Sequence, residues 1–317
     1  MSRFVTVSCL TAPPLAIPSG TPFDDVVDAE IGHWAERLDA VLPDRPDLIV
    51  LPEAADRPDS TDFGPDRQHE YYQHRGMRVR DYFASSALEN RCYIAYSSPL
   101  VDEAGKRNAT QLIDRSGGIV GEYAKNHLTI PENEEVALDY GVAPSTFELD
   151  FGRVGAAICF DLNFEELRTQ YAQSRPELMI FSSEYHGSLM QNYWAYSLRC
   201  YFAGTIRPPA PSGIISPLGE TVAESTNYFN HVTKRINLDY AVAHLDGNWE
   251  KLAAARRKYG PELVVHDPGR LGSVLISSES AEFTAGDVVA EFGIELLDHF
   301  LDRCRRHRAG KVAGAAA

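Results

Sequence analysis

The chain has 317 residues, of which 44% are hydrophobic and 24% are charged, and this balance excludes intrinsic disorder for most of its length. Its 45 acidic and 30 basic side chains give a formal net charge of −15, which argues against binding to phosphate backbones or anionic lipid head groups. We therefore expect a soluble globular protein that binds neither nucleic acid nor a membrane.

The cysteine content and the apolar runs indicate the cellular setting. No stretch approaches the roughly 18–20 apolar residues of a membrane-spanning helix, and the N-terminus lacks the charged start and uninterrupted apolar centre of a secretory signal. No H-E-x-x-H motif or cluster of His and Cys ligands is present, so we expect no metal. An odd number of cysteines without a C-x-x-C pair predicts reduced thiols in a cytoplasm: Cys9, Cys92, Cys159, Cys200 and Cys304.

Strand and helix patterns follow one another along most of the chain. In Thr21–Val41 apolar residues recur at spacings of three and four, which predicts an amphipathic helix with Thr21 as its N-cap. Glycine-rich turns on both sides of a strand at Thr110 predict hairpins, so we expect an α/β protein with parallel and antiparallel strand pairs. The predicted strands are Phe4–Leu10, Leu48–Leu51, Tyr93–Ser97, Thr110–Asp114, Val154–Cys159, Leu178–Phe181, Gly213–Ile215 and His231–Leu238. The other predicted helices are Met77–Asn90, Glu165–Gln173 and Leu189–Tyr201.

The chain shows no sign of a division into several domains. No Ser/Gly/Pro linker, composition shift or internal repeat interrupts it, so we expect one domain over residues 1–302. The segment RCRRHRAGKVAGAAA is basic at first and then rich in small residues. It predicts a C-terminal tail over residues 303–317 that is disordered or lies at a subunit interface.

The first segment that can carry chemistry is DLIVLPEAADRP. The apolar run Leu48–Leu51 predicts a buried strand, and Glu53 follows at its carboxyl end, where open α/β sheets place ligands. A partly desolvated carboxylate at such a position is suited to act as a general base. On this segment alone, a glutamate that faces solvent at the end of a strand is the simpler interpretation.

The second segment is GEYAKNHLTIPENEE. It places Lys125 and His127 before a cluster of glutamates that includes Glu132 and Glu134. A lysine held near carboxylates stays cationic and can stabilise an oxyanion. A solvated surface charge pair explains the same pattern when the segment is taken alone.

The third segment, GRVGAAICFDLNFEEL, places a cysteine between a strand of small residues and a helix. Val154–Ile158 predicts the strand and Cys159 follows it, as in a strand-to-helix nucleophile elbow. At such an elbow, backbone N–H groups can bind an oxyanion and the helix start can lower the pKa of the thiol. The alternative is an inert buried cysteine.

Together, in this order, the three segments resemble the motifs of the nitrilase superfamily of carbon–nitrogen hydrolases. The motifs read LPE at Glu53, YAKNHL at Lys125 and VGAAICFD at Cys159, and further similar stretches extend over residues 3–300. The resemblance implies a four-layer αββα sandwich of two mixed sheets flanked by helices. It also implies a cofactor-independent enzyme that assembles as a homodimer or a higher homo-oligomer.

The resemblance further implies a Glu-Lys-Cys triad. Cys159 attacks the carbonyl carbon, Glu53 takes the thiol proton and passes it to the leaving nitrogen, and Lys125 and the N–H of Phe160 hold the oxyanion. Water then hydrolyses the thioester to a carboxylic acid. Glu132, seven residues after the lysine, orients the substrate and the lysine, with Glu134 as the alternative.

Departures from the family pattern bear on the substrate. Cys-Phe-Asp replaces the Cys-Trp-Glu of nitrile-cleaving members, which favours a small amide or an N-carbamoyl compound over a nitrile. Asn163 stands where amidases often carry an arginine, so an anion-binding contact is expected to be lost. Glu184, Tyr185 and His186 follow the Leu178 strand and are predicted to line the substrate pocket. Glu184 is expected either to select a cationic or hydrogen-bond-donating substrate or to lie on the surface.

Three other classes of function stay open at this point: another reaction of the same triad, a Cys-His enzyme and a protein without activity. The same triad is compatible with nitrile hydrolysis and with transfer of the acyl group to an amine. A Cys-His enzyme that pairs Cys159 with His127 or His186 lacks the local signature of that class. The third alternative is a catalytically silent scaffold with the same fold.

Overall fold

The computed structural model describes residues 2–315, with side chains through residue 313, and the chain divides into two units. The larger unit is Val5–Arg235, and the smaller unit comprises the chain up to Phe4 and from Ile236 onward. The strands are β1 (Phe4–Leu10), β2 (Leu48–Val50), β3 (Tyr93–Asp102), β4 (Gly105–Ile113), β5 (Ile119–Ala124), β6 (Thr146–Leu149), β7 (Gly152–Ile158), β8 (Leu178–Ser183), β9 (Tyr201–Ile206), β10 (Gly213–Ile215), β11 (Thr221–Glu224), β12 (His231–Asn237), β13 (Tyr240–His244), β14 (Leu263–His266) and β15 (Ser273–Ser278). The helices are α1 (Phe23–Leu38), α2 (Pro65–Arg75), α3 (Arg78–Asn90), α4 (Ile130–Glu134), α5 (Glu165–Ser174), α6 (Leu189–Leu198), α7 (Trp249–Tyr259), α8 (Ala285–Phe292) and α9 (Leu297–Ala315).

Two mixed six-stranded sheets form the centre of the larger unit. One has the order β12-β1-β2-β3-β4-β5 and the other the order β11-β10-β9-β8-β7-β6. The sheets face each other, since Thr205 donates to the carbonyl of Val50 at 3.1 Å and Ser182 donates to that of Leu51 at 2.7 Å. Both contacts are buried, so the hydroxyls satisfy main-chain acceptors inside the sandwich.

Helices cover the outer face of each sheet. Trp34 of α1 and Phe83 of α3 pack into the apolar cluster on the first sheet, with Trp34 1% exposed and Phe83 fully buried. Leu167 of α5 and Trp194 of α6 do the same on the second sheet. Burial of these large side chains is a main source of stability for each helix. The predicted αββα sandwich is confirmed.

Strand direction brings the candidate residues to common edges. The pairs β1–β2 and β2–β3 are parallel, whereas β3–β4 and β4–β5 are antiparallel, so β2 and β5 point the same way. The carboxyl end of β2, which precedes Glu53, and that of β5, which precedes Lys125, therefore share one edge. Since β7 and β8 are parallel, Cys159 and Glu184 share an edge of the second sheet in the same way.

The smaller unit contains structure that the sequence analysis did not predict. Its three strands form an antiparallel sheet with the order β13-β15-β14, and α7 and α8 contribute Leu252 and Val288 to an apolar core with Ile276. The interpretation of residues 1–302 as one domain stays a prediction.

Two local predictions are wrong. The disordered alternative for the tail is wrong for residues 303–315, because α9 begins at Leu297 and continues past the expected boundary. The alternative of a subunit interface stays a prediction, and residues 316 and 317 lie outside the described part of the chain. Thr21 does not cap α1, because its hydroxyl donates to the carbonyl of Pro18 at 2.7 Å and Pro22 occupies the N-cap position.

Candidate active site

Glu53 lies in a loop that the surrounding elements hold in place. Arg207 donates to its main-chain oxygen at 2.9 Å, and the residue is 4% exposed. Its carboxylate accepts three hydrogen bonds, from Asn108 Nδ2 at 2.7 Å and Lys125 Nζ at 2.9 Å on Oε1, and from the N–H of Glu184 at 3.1 Å on Oε2. The solvent-facing alternative is therefore wrong for Glu53, and its carboxylate is held in one orientation.

Lys125 is a buried cation shared by two carboxylates. Its ammonium lies 2.9 Å from Glu53 Oε1 and 2.7 Å from Glu132 Oε1, and its side chain is 1% exposed. Burial alone lowers the pKa of Lys125, but neighbouring charges, that of Glu53 first, outweigh it and raise the pKa above its usual value. Lys125 is therefore a permanent cation at neutral pH, and the surface charge pair considered from the sequence is excluded.

Glu132 is held by the local chain as well as by Lys125. It is the third residue of a capping box at the start of α4, where its Oε2 accepts from the N–H of Thr129 at 2.7 Å. Burial by itself raises the pKa of Glu132, but the charge and hydrogen bond of Lys125 hold it below its usual range. Of the two glutamates considered from the sequence, Glu132 is the one that contacts the lysine.

Cys159 lies at a strained turn directly after β7. Its φ angle is +48°, in the left-handed region that residues other than glycine rarely adopt. A short 3-10 turn, Cys159–Asn163, follows, with Phe160 as its second residue. The fully buried Asp161 fixes this turn by accepting from the N–H of Ile158 at 2.9 Å and from the hydroxyl of Tyr123 at 2.7 Å. The predicted strand-to-helix elbow is present.

The resting state of the thiol differs from the expectation. Burial raises the pKa of Cys159 to about 12, and the negative charge of Glu53 acts in the same direction. The charge of Lys125 and the hydroxyl of Ser183 favour the thiolate but do not outweigh these effects. The expected lowering of the thiol pKa by a helix start is wrong here, because the segment after Cys159 is a short 3-10 turn and the thiol lies beside a carboxylate.

A cavity of about 240 Å³ brings the three residues to a common surface. Cys159 lines it, and the charged residues of the lining are Glu53, Arg57, Lys106, Lys125, Glu132 and Glu184. Large, mostly apolar side chains also line the cavity: Tyr72, Val136 and Leu138. The volume is below the roughly 300–1,000 Å³ typical of sites for drug-sized ligands, so it suits a small molecule.

Of the other residues predicted to line the substrate pocket, one lines the cavity and two do not. Glu184 lines the cavity, but its carboxylate pairs with Arg57 and lies 3.2 Å from Arg207 Nε. The charges of two arginines offset that of Glu184, which argues against selection of a cationic substrate. Selection of a hydrogen-bond-donating substrate stays a prediction. Tyr185 and His186 are absent from the described lining: the Tyr185 hydroxyl accepts from Asn163 at 3.0 Å, and His186 Nδ1 accepts from the N–H of Ser188 at 3.0 Å.

His127 and Phe160 lie beside the elbow rather than in the cavity lining. The N–H of His127 donates to Asp161 at 2.8 Å, and its ring stacks on Phe164 with centroids 3.8 Å apart. These contacts assign His127 to the support of the turn. The side chain of Phe160 packs edge-on against Phe164, which leaves its main-chain N–H, one residue after Cys159, as its expected contribution.

Sequence reasoning missed Asn108, Arg57 and Arg207. Arg57 stands in the LPEAADRP segment itself, and its charge next to the candidate base was a usable signal. Asn108 belongs to the strand KRNATQLI, and Arg207 follows β9; no local pattern distinguishes either from an ordinary polar residue. Their contacts with Glu53 arise only when β4 and β9 are placed beside the loop after β2.

Neither a metal site nor a membrane-spanning helix is present among the described residues. Within residues 2–315, no group of three or more His, Cys, Asp and Glu side chains is arranged to hold a metal ion. In the same residues, no helix is both long enough and apolar enough to cross a membrane.

Comparison with known proteins identifies the family. Residues 26–241 match the model of the family described as Carbon-nitrogen hydrolase. The omega-amidase NIT2 of Homo sapiens is 25% identical over 226 residues, which cover 67% of this chain and 80% of that protein. The crystal structure of Saccharomyces cerevisiae Nit3, a member of branch 10 of the nitrilase superfamily, matches with a TM-score of 0.63 at 17% identity over 85% of this chain and 97% of that chain. An amidase from Nesterenkonia sp. matches with a TM-score of 0.56 at 15% identity over 74% of this chain and 90% of that chain. The family model covers well over half of the sequence, so the chain belongs to the carbon-nitrogen hydrolase family, in the amidase-like branch of the nitrilase superfamily.

Proposed function

We propose that this carbon-nitrogen hydrolase cleaves a small amide or N-carbamoyl compound with Cys159 as its nucleophile. The observation that carries the proposal is the buried ammonium of Lys125, which contacts both Glu53 and Glu132 at the wall of a cavity that Cys159 also lines. A general base, an oxyanion-binding cation and a nucleophile are thus available to one small ligand. The names of the omega-amidase and the amidase that resemble this chain agree with an amide substrate.

The first step is attack of the sulfur on the carbonyl carbon. The pKa of about 12 means that Cys159 is a protonated thiol at neutral pH, so the proton leaves as the S–C bond forms. Glu53 accepts it, since its carboxylate is the anion beside the thiol. The carbonyl π electrons move to oxygen, where Lys125 Nζ and the N–H of Phe160 stabilise the negative charge. Such a preorganised donor typically contributes about 10²–10³ in rate.

The second step breaks the C–N bond. Glu53 returns its proton to the leaving nitrogen, the oxyanion re-forms a carbonyl, and ammonia or an amine departs from a thioester on Cys159. Glu53 then removes a proton from water, the hydroxide oxygen attacks the thioester, and the sulfur leaves as a thiol when Glu53 donates the proton back. The net reaction consumes one water and releases a carboxylic acid, or a carbamic acid from an N-carbamoyl compound.

Glu132 keeps the lysine in place for both steps. Lys125 donates one hydrogen bond to Glu53 and another to Glu132. The bond to Glu132 holds the ammonium while Glu53 changes protonation state. When Glu53 is neutral, Glu132 is still a charged partner for the lysine. This assigns a positioning role to Glu132, which acts through Lys125.

A test combines product release with capture of the intermediate. The protein is incubated with pools of small amides, N-carbamoyl compounds and nitriles, and the mass added to Cys159 is measured together with ammonia release. We expect an acyl mass on Cys159 in the wild type and in Cys304→Ala, a control that removes an exposed thiol, and neither signal in Cys159→Ala. Full turnover by Cys159→Ala would overturn the mechanism. Added hydroxylamine separates hydrolysis from acyl transfer, because only transfer yields a hydroxamate.

The location and the assembly of the protein are separate proposals. All five cysteines are free thiols in the structure, which supports a reducing compartment such as the cytoplasm. The homodimer or higher homo-oligomer implied by the resemblance stays a prediction. Light scattering coupled to size-exclusion chromatography measures the oligomeric mass directly.

A further inference from the structure

The smaller unit contains a strand whose outer edge is open. Its sheet has the order β13-β15-β14, so β13 and β14 are the edge strands. Ala243 of β13 forms a bridge with Leu296, which partly covers that edge. β14 pairs with β15 on one side, and among the described residues no strand or bridge occupies its other side. An unpaired edge of this kind can accept an extended segment from another chain.

The strand register shows which main-chain groups face the open edge. The N–H of Glu279 donates to the carbonyl of Glu262 at 2.8 Å, so the even-numbered residues here hydrogen-bond towards β15, in the alternation of an antiparallel pair. The N–H and the carbonyl of Val265 therefore point to the open side, together with the carbonyl of Leu263. The N–H of Leu263 already donates to the carbonyl of Gly260. An incoming strand can thus form a hydrogen-bonded pair with Val265.

Helix α7 forms the other wall of a groove along this edge. Arg256 and Arg257 follow Ala253 at three and four residues, so the three side chains lie on one stripe of the helix, and all three line the groove. The adjacent stripe, with Leu252 and Ala255, is buried in the core of the unit. The volume of the groove is about 610 Å³. The rest of its lining is apolar: Gly260, Pro261, Leu263, Val264 and Val265.

The two arginines of this wall have no acidic partner. Among the side chains described through residue 313, no carboxylate lies within 4.0 Å of either guanidinium. The next residue, Lys258, pairs instead with Glu291. The groove therefore presents two unmatched positive charges in a chain whose net charge is −15. A second copy of β14 is an unsuitable occupant, because pairing two such edges would bring four guanidiniums together.

Strand pairing determines which side chains of an occupant face the arginines. A residue paired with Val265 turns its side chain to the face on which Val265 packs against the core, which is the face that α7 covers. The next residue turns to the opposite face, beside Val264, which is 42% exposed. The site therefore fits a segment in which acidic residues alternate with apolar ones. The four residues of β14 span about 14 Å at 3.4 Å per residue, which sets the length of the paired segment.

We propose that the groove between α7 and the open edge of β14 binds an extended acidic segment of another protein, which adds to the sheet as an antiparallel fourth strand. Main-chain hydrogen bonds to Val265 and Leu263 supply affinity, and Arg256 and Arg257 select negative charge. The groove shares no described lining residue with the cavity of Cys159. This binding function is therefore separate from hydrolysis.

Fluorescence anisotropy with two labelled peptides tests the selection of charge. The full chain is titrated against fluorescein-labelled EVEVEV and KVKVKV. We expect saturable binding of the acidic peptide, at least about tenfold tighter than that of the basic peptide, because contacts to two guanidiniums distinguish them. Arg256→Glu/Arg257→Glu should reverse this preference. Arg306→Glu/Arg308→Glu makes the same charge change at exposed positions of α9 and should leave the preference unchanged.

Two results of this titration overturn the proposal. One is the absence of saturable binding of EVEVEV to the wild type. The other is an equal affinity of the wild type and Arg256→Glu/Arg257→Glu for EVEVEV. The melting temperature of each variant shows whether a loss of binding reflects a loss of folding.

N-methylated peptides separate strand addition from simple charge attraction. In the proposed fourth strand the N–H groups of the glutamates face β14, whereas those of the valines face away. Methylation of the glutamate amides should weaken the binding of EVEVEV by about tenfold or more, and methylation of the valine amides should leave it nearly unchanged. Equal effects of the two modifications overturn strand addition. This comparison uses the wild type alone, so it does not depend on the folding of a variant.

Discussion

Glu53 and Asp56 are three residues apart in the loop after β2, yet their carboxylates lie in buried clusters of different kinds. Asp56 is fully buried and accepts hydrogen bonds from the guanidinium of Arg75, the hydroxyl of Tyr96 at 2.7 Å and the hydroxyl of Ser98. The buried carboxylate of Glu30 lies near enough to interact with its charge. Glu53 instead shares the ammonium of Lys125 with a second carboxylate and lines a cavity. The first cluster is closed, whereas the second places an excess carboxylate next to a ligand site.

This difference shows what separates a structural ion pair from a catalytic one. Burial and short contacts are common to both clusters, so neither property identifies chemistry. Removing the charge of Asp56 would leave the buried guanidinium of Arg75 without its charged partner. When Glu53 is protonated, Lys125 is still paired with Glu132. Glu53 can therefore gain and lose a proton without leaving a buried cation unpaired. Excess carboxylate beside a cavity is therefore the feature that supports catalysis.

The largest expected effect comes from removing the basicity of Glu53. Glu53→Gln keeps the shape and most hydrogen bonds of the side chain but cannot accept the thiol proton. We expect kcat for amide hydrolysis to fall by about 10²–10⁴, with little change in the melting temperature. Asp56→Asn is the matched control, since it makes the same change three residues away; it should lower the melting temperature and affect kcat much less. Equal losses of kcat in both variants would contradict the distinction between the clusters.

Breaking the closed cluster should act on stability. Arg75→Met leaves the fully buried Asp56 without its cation, and we expect the free energy of unfolding to fall by about 3–5 kcal/mol. Chemical denaturation measures this value. The double variant Arg75→Met/Asp56→Asn should be less destabilised than Arg75→Met alone, because it no longer buries an unpaired charge. A double variant with the summed loss of both single variants would show that the pair is not coupled.

The smallest expected effect is the contribution of Glu132 to the pH dependence of stability. Lys125 holds the pKa of Glu132 below its usual value of 4.5, so the folded state binds this proton less readily than the unfolded state. The stabilisation is fully present above pH 4.5 and is lost as the pH falls through the lower folded pKa. Glu132→Gln preserves the acceptor for Thr129 but removes the charge. The melting temperature of the wild type should therefore be higher than that of Glu132→Gln at neutral pH, and this difference should shrink below pH 4.5. A difference that does not change with pH argues against the ion pair as its source.

Local patterns predicted the elements around the site with good accuracy. The helix predicted over Met77–Asn90 is observed as Arg78–Asn90, and the strand predicted over Val154–Cys159 is observed as Gly152–Ile158. These predictions are accurate because the periodic pattern of buried residues is visible within a short stretch of sequence. The disordered alternative for the tail from Arg303 was wrong because its polar composition resembles a disordered segment, although the preceding turns of α9 continue into it.

The site residues that were missed or misassigned share one cause. Asn108 and Lys106 contribute through β4, a strand whose start meets the loop after β2 only through the register of the first sheet. Selection of a cation was one alternative for Glu184, since its partners, Arg57 and Arg207, are distant in the sequence and do not reveal the pairing there. Charge neutralisation between such segments cannot be read from either one alone.

By itself the sequence determined the order of strands and helices, the positions of Glu53, Lys125 and Cys159 after strands, and the resemblance that identifies the family. These features depend on neighbouring residues and on short motifs. Only the tertiary structure decided that burial and Glu53 raise the pKa of the Cys159 thiol, that Glu184 pairs with Arg57, and that Lys106 lines the cavity. The physical reason is that desolvation and Coulomb interactions depend on distances across the sandwich, which sequence spacing does not specify.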